Sequence, residues 1–196
     1  MNSIQLLPIG TVDPSLLERL SKALTAEFIA GCEVLESAPE PSFALNMARQ
    51  QYSSTEILAS MTDRPVSAED RILAVTSVNL YIPILTFVFG EAQLNGRCAV
   101  VSTFRLRQEF YGLPANASLL VERMEKESVH ELGHTLGIPH YFNYECVMAS
   151  SHAVELIDLK QRSFCRACVG RTLGITSEAF LSARGLNPQA PHNELK

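Results

Sequence analysis

The chain has 196 residues, 46% of them apolar and 19% charged, which suits one domain, or two lobes sharing a cleft, built on a real core. A net charge of −5 excludes the basic face that nucleic-acid binding requires, and no Lys/Arg cluster or basic amphipathic segment marks a membrane surface. The opening MNSIQLLPIG lacks a basic start and is cut by Pro8 and Gly10, so it does not read as an export signal. Five cysteines, an odd number, then point to metal ligands or buried thiols rather than a disulfide framework, and to a cytoplasmic protein.

Residues 4–9 predict a first strand. Asp13-Pro14 caps a helix with Leu16, Leu17, Leu20, Leu24 and Phe28 at helical spacing, ended by Gly31. Residues 32–35 predict a second strand before the Pro39-Glu40-Pro41 break, and residues 43–61 a helix broken near 51–54. The most apolar run, residues 72–89, is long enough to raise the question of a membrane span. Asn79 and Pro83 in its middle, and its wealth of Val, Ile, Thr, Tyr and Phe, predict two buried strands instead, at 71–78 and 84–89. Residues 90–96 predict a turn and 99–104 another strand. A helix follows at 118–136, with the pairs Glu122/Lys126 and Arg123/Glu127 expected on its exposed side, stopped by Gly137 and Pro139. The last dozen residues read as a loose tail. Strand runs alternating with helices indicate an α/β layered architecture, and no internal repeat is present.

The decisive segment is His130-Glu131-Leu132-Gly133-His134-Thr135-Leu136-Gly137-Ile138-Pro139-His140. Histidines four apart stand one above the other on a helix face, so both imidazoles can reach one ion. Glu131 is offset around the helix and can address a metal-bound water without ligating the metal. Gly137 permits a sharp reversal that carries His140 back to the ion. Three neutral nitrogen ligands leave an open position, the mark of a catalytic zinc. Zinc would acidify its water and polarise a carbonyl, with Glu131 as general base.

The pattern H-E-x-x-H-x-x-G-x-x-H, followed by Met148, resembles the metzincin signature. Cys146-Val147-Met148 and Cys165-Arg166-Ala167-Cys168, with similar strand segments around residues 80–106, make the chain similar to the archaemetzincin family within that group. The resemblance implies a minimal metzincin fold: a twisted mixed sheet with packed helices, α/β (α+β) in class. It divides into residues 1–137, ending in the active-site helix, and a small subdomain, 138–196, with Met148 in a turn beneath the metal. It implies a zinc peptidase with a peptide or protein substrate, expected to be monomeric. It also implies a second, structural zinc on Cys146, Cys165 and Cys168. The family's fourth cysteine, after the third histidine, is Tyr141 here, a poor ligand, so His152, Cys32 or Cys98 stand as substitutes. A redox pair or plain buried thiols are the alternatives for these cysteines.

Metzincin substrates lie along an edge strand, for which 84–89 and 99–104 are candidates. Tyr111, Tyr141 and Tyr144 are candidates to stabilise the oxyanion. Asp158 and Lys160 read as a solvated or salt-bridged face, and His192 as inert. The competing functions are a non-catalytic zinc protein that binds peptides, which would have no use for Glu131, and a zinc hydrolase of a non-peptide amide.

Overall fold

The computed structural model describes residues 1–65, 67–165 and 168. Its centre is a five-stranded mixed sheet in the order β2-β1-β5-β8-β7. These strands are β1 (Ser3–Ile9), β2 (Gly31–Val34), β5 (Arg71–Thr76), β7 (Gly90–Ala92) and β8 (Cys98–Ser102). All neighbours are parallel except β7, which runs antiparallel to β8 and forms one edge. A three-stranded sheet, β3 (Leu45–Asn46), β4 (Gln51–Ser53) and β6 (Leu80–Tyr81), stands beside it.

The central strands bury both faces. Leu6, Leu73, Val75, Ala99 and Val101 meet Leu16, Leu20 and Leu24 of helix α1 (Pro14–Phe28) and Met124, Val129 and Leu132 of helix α3 (Ala117–Thr135). The alternate residues Leu7, Ile9, Ile72, Ala74 and Val100 meet Ile57, Leu58 and Met61 of helix α2 (Ser54–Met61). Period-two alternation therefore gives a three-layer α/β sandwich, as expected for parallel strands covered on both sides. Cys146, Val147 and Met148, with Val154 and Ile157 of helix α4 (Val154–Leu159), join the α1/α3 side of the core.

Helix α1 begins as predicted, with the Asp13 carboxylate accepting from the Ser15 amide at 2.8 Å and Pro14 in its first turn. It ends earlier than expected: Ile29, at φ +52°, leaves the helix, and Gly31 already opens β2 opposite Ser3. The expected helix at 43–61 is half hairpin. Residues 45–53 form β3 and β4, and α2 begins only at Ser54, where the Ser53 hydroxyl caps the Glu56 amide. Residues 84–89 form no strand, and the edge strand is the next segment, 90–92, where a turn was expected. Of the pairs on α3, Lys126 does join the exposed Glu122 at 2.6 Å, but Arg123, Lys126 and Glu127 are themselves buried. They bond forward to the end of α4: Arg123 grips the Asp158 carboxylate through two bonds of 2.7 Å, Lys126 donates to the Asp158 carbonyl, and Lys160 pairs with Glu127 at 3.2 Å. Of the two surroundings expected for Asp158 and Lys160, the salt-bridged one is found, with Lys160 buried rather than solvated. Among the described residues no helix is long and apolar enough to cross a membrane. The tail, with His192, lies outside the described residues.

Candidate metal centre

Helix α3 carries His130 and His134 on successive turns. Its end is a Schellman motif, with the Gly137 amide donating to His134 and the Ile138 amide to Gly133. Gly137 sits at φ +83°, the left-handed conformation that the sharp reversal requires. The chain then turns back, and His140 stacks on His130 with ring centres 5.2 Å apart. The nitrogens of all three rings lie within 4.8 Å of one another.

Carbonyl groups fix the two helical rings. His130 Nδ1 donates to the Val147 carbonyl at 2.8 Å, and His134 Nδ1 to the Ile138 carbonyl at 2.7 Å. A carbonyl can only accept, so both Nδ1 atoms carry the proton and both Nε2 atoms present lone pairs. Those Nε2 atoms face each other at 3.1 Å. Burial lowers the pKa of all three histidines, that of His134 to about 4, which disfavours a proton between them. Two bare lone pairs so close repel unless a cation lies between them. Nitrogens bound tetrahedrally to one zinc at its usual bond length sit roughly 3.3 Å apart, so the donor set fits that ion.

The turn after the histidines clamps the site from below. Val147 holds His130, while the Met148 carbonyl accepts from the Tyr141 amide at 2.9 Å, tying down the segment that carries His140. Met148 is fully buried. A Cβ at Gly133 would meet its sulfur at 2.5 Å, so glycine lets helix and methionine touch, and a larger residue would make the methionine shift. Glu131 is buried beside the cluster, and burial, with Glu127 nearby, holds its carboxyl well above the ordinary range. Gly90 of β7 packs on this side chain. A Cβ there would stand 2.8 Å from Glu131 Oε1 and 2.6 Å from the Val100 carbonyl. Neither glycine contact was visible in sequence, because each depends on a partner from another element.

His130, Glu131 and His140 border a cleft of about 310 Å³, walled by residues 85–90 on one side and Ser150, Ser151 and His152 on the other. A larger hollow, about 730 Å³, lies between Glu122, Arg162 and Cys165 and contains none of the three histidines. Size does not choose the site; the donor set does. The three tyrosines expected near the oxyanion do not border the cleft. Tyr111 donates to the Arg105 carbonyl, Tyr144 is 75% exposed, and Tyr141 packs against the core.

The sulfurs of Cys146, Cys165 and Cys168 also lie within 4.8 Å of one another, with Cys146 and Cys168 in contact at 3.5 Å. That contact pushes the Cys146 thiol down and the Cys168 thiol up, since one proton suffices for the pair. Three such thiols fit a soft ion such as zinc. Among the described residues no fourth His, Cys or carboxylate joins them. Cys98 lies in the core beneath α2, Cys32 on β2, and His152 in the cleft. No described strand leads into Cys165, so the strand-to-helix setting of a redox pair is missing among the described residues.

Residues 33–173 match the model of Peptidase family M54. The chain belongs to that family, the archaemetzincins. An archaemetzincin of Methanocaldococcus jannaschii is 43% identical over 162 residues, covering 83% of this chain and 88% of that protein. The fold is similar to that of an archaemetzincin from Archaeoglobus fulgidus, solved with malonate, at 38% identity and a TM-score of 0.74, covering 86% of this chain and 98% of that one. It is also similar to a zinc-dependent peptidase from Methanocorpusculum labreanum, at 28% identity and a TM-score of 0.80, covering 87% of this chain and 100% of that one. Family membership and the donor clusters together make this archaemetzincin a zinc metallopeptidase, which acts on a peptide or protein.

Proposed function

We propose that this metallopeptidase holds its catalytic zinc on His130, His134 and His140 and uses Glu131 as general base. The convergence of three imidazoles, two of them oriented by backbone carbonyls, with a buried carboxylate beside one cleft carries this reading. When bound, zinc supplies a Lewis acid that acidifies water and polarises the scissile carbonyl. Glu131, held between α3 and Gly90, takes a proton from the attacking water and delivers it to the leaving amine. Val147 and Ile138 keep both helical imidazoles in the one tautomer that can ligate. Substrate runs along the antiparallel edge strand β7, next to the metal centre.

Cys146, Cys165 and Cys168 hold a second, structural zinc in this reading, and Met148 supports the histidine cage from below. The cleft lies between residues 1–137 and the smaller subdomain that starts at residue 138, in a monomeric, cytoplasmic enzyme. The test is chelator-sensitive cleavage of a quenched-fluorescent peptide library, comparing the native protein with Glu131→Gln at equal zinc content. Cleavage confined to the native protein supports the mechanism. Equal cleavage by both sinks Glu131 as the base, and no cleavage by either turns attention to non-peptide amides or peptide binding.

A further inference from the structure

The two walls of the cleft differ in chemistry. Ser150, Ser151 and His152 make one side polar, while Leu85, Phe87, Val88 and Phe89 make the other apolar. The apolar side is not a strand, and side chains from elsewhere brace it. Arg49 Nη2 donates to the Leu85 carbonyl at 2.8 Å and to the Thr86 carbonyl at 3.2 Å, and Gln51 Nε2 donates to the Thr86 carbonyl at 2.9 Å. Arg49 itself lies over the Tyr81 ring, 4.2 Å from its centre. Phe87 and Phe89 meet edge to face at 5.2 Å, and the Arg105 guanidinium covers Phe87 at 4.1 Å while its Nε donates to Asn79.

This wall is therefore held in one shape before any substrate arrives. Both lone pairs of the Thr86 carbonyl are taken, so that carbonyl cannot pair with a peptide backbone in strand fashion. What the wall offers is side chains. Leu85 is 49% exposed, and the apolar surface continues outward through Ile84, 86% exposed. Braced apolar surface bordering a catalytic carboxylate suits the side chain of a bound peptide.

We propose that residues 85–89 form the main specificity subsite, which takes a bulky apolar side chain of the substrate close to the scissile bond. Leu85 is the residue that side chain packs on, and Arg49 is a positioning residue that holds the wall. The inference rests on the peptidase reading and adds the substrate class: peptides with Leu, Ile, Met or Phe at one fixed position.

The test is a positional scan of cleavage by the zinc-loaded protein, paired with fluorescence-anisotropy binding of apolar and acidic hexapeptides to Glu131→Gln. The native protein prefers an apolar over an acidic residue at one position by about tenfold or more in kcat/KM. Leu85→Glu moves that preference to Lys and Arg at the same position with zinc content and Tm unchanged, as its exposure allows. Arg49→Ala raises KM and flattens the preference while kcat holds. A profile without apolar preference, or one that Leu85→Glu leaves unaltered, overturns the subsite. Selective binding to Glu131→Gln with no cleavage by the zinc-loaded native protein keeps the subsite and condemns the peptidase reading instead.

Discussion

The histidine and cysteine clusters each bring three metal-binding side chains within 4.8 Å of one another, yet they stand in opposite surroundings. His130 and His140 border a cleft, the rings of His130 and His134 are set by backbone carbonyls, and a carboxylate stands beside them. Cys146 and Cys168 are buried and their sulfurs meet at 3.5 Å, in a corner of the larger hollow that Cys146 and Cys165 line. An ion with an open coordination position next to a base can do chemistry. An ion wrapped in core can only cross-link chain segments, here residue 146 to residues 165 and 168. The two sites should therefore separate cleanly: activity should follow one and stability the other.

The sharpest separation comes from Glu131→Gln, which keeps the side chain's volume but removes the proposed base. We expect kcat/KM to fall roughly 10²- to 10⁴-fold, with zinc content and Tm unchanged. A smaller loss would move the proton transfer elsewhere. On the cysteine side, Cys165→Ser should lower stability by about 3 kcal/mol in thermal unfolding through loss of the proposed structural zinc. Activity per equivalent of remaining zinc should change less than about threefold. If it collapsed, the two sites would be coupled and the contrast would fail.

Gly90→Ala probes the histidine side from outside the motif. The added methyl meets the Val100 carbonyl, which cannot move cheaply, so Glu131 must yield. Displacing a base by about an ångström costs on the order of 10²-fold in kcat. The expected loss lies mainly in kcat, with a smaller rise in KM because Gly90 belongs to the strand proposed to carry substrate, and an unchanged kcat would show that Glu131 tolerates another position.

What could be read from the sequence follows the same divide between local and distant. His130, His134, Gly137 and His140 lie within eleven residues, so helix geometry and one left-handed turn bring them together, and spacing alone reveals it. Residues 84–89 misled because an apolar run with β-type residues fits a buried strand. Here the apolar character faces a cleft, and the carbonyls are satisfied by Arg49 and Gln51, more than thirty residues earlier. Arg123, Lys126 and Glu127 misled for a similar reason. Their spacing matches exposed helical pairs, but four bonds to Asp158 and Lys160 tie them to the end of α4, and no local pattern announces a partner 32 to 35 residues away. The hairpin at 45–53 hid inside residues of helical character, although Ser53 with Glu56 three residues on was a readable start signal for α2.

Gly133→Ala is the mildest probe and bears on where the two clusters meet. A Cβ at Gly133 would stand 2.5 Å from the Met148 sulfur and 2.9 Å from Phe164, the neighbour of Cys165. Both contacts are with side-chain ends that can shift, so overpacking costs about 1–3 kcal/mol. Alanine's better helix propensity returns about 1 kcal/mol of that. The net loss in thermal unfolding should be near 1 kcal/mol. Zinc retention against a chelator discriminates further. Met148 underlies the histidines and Phe164 leads into the cysteines, so a shared support predicts faster release of zinc from both sites. Release from the histidine site alone would mean that Met148 absorbs the strain and that the two clusters are mechanically independent.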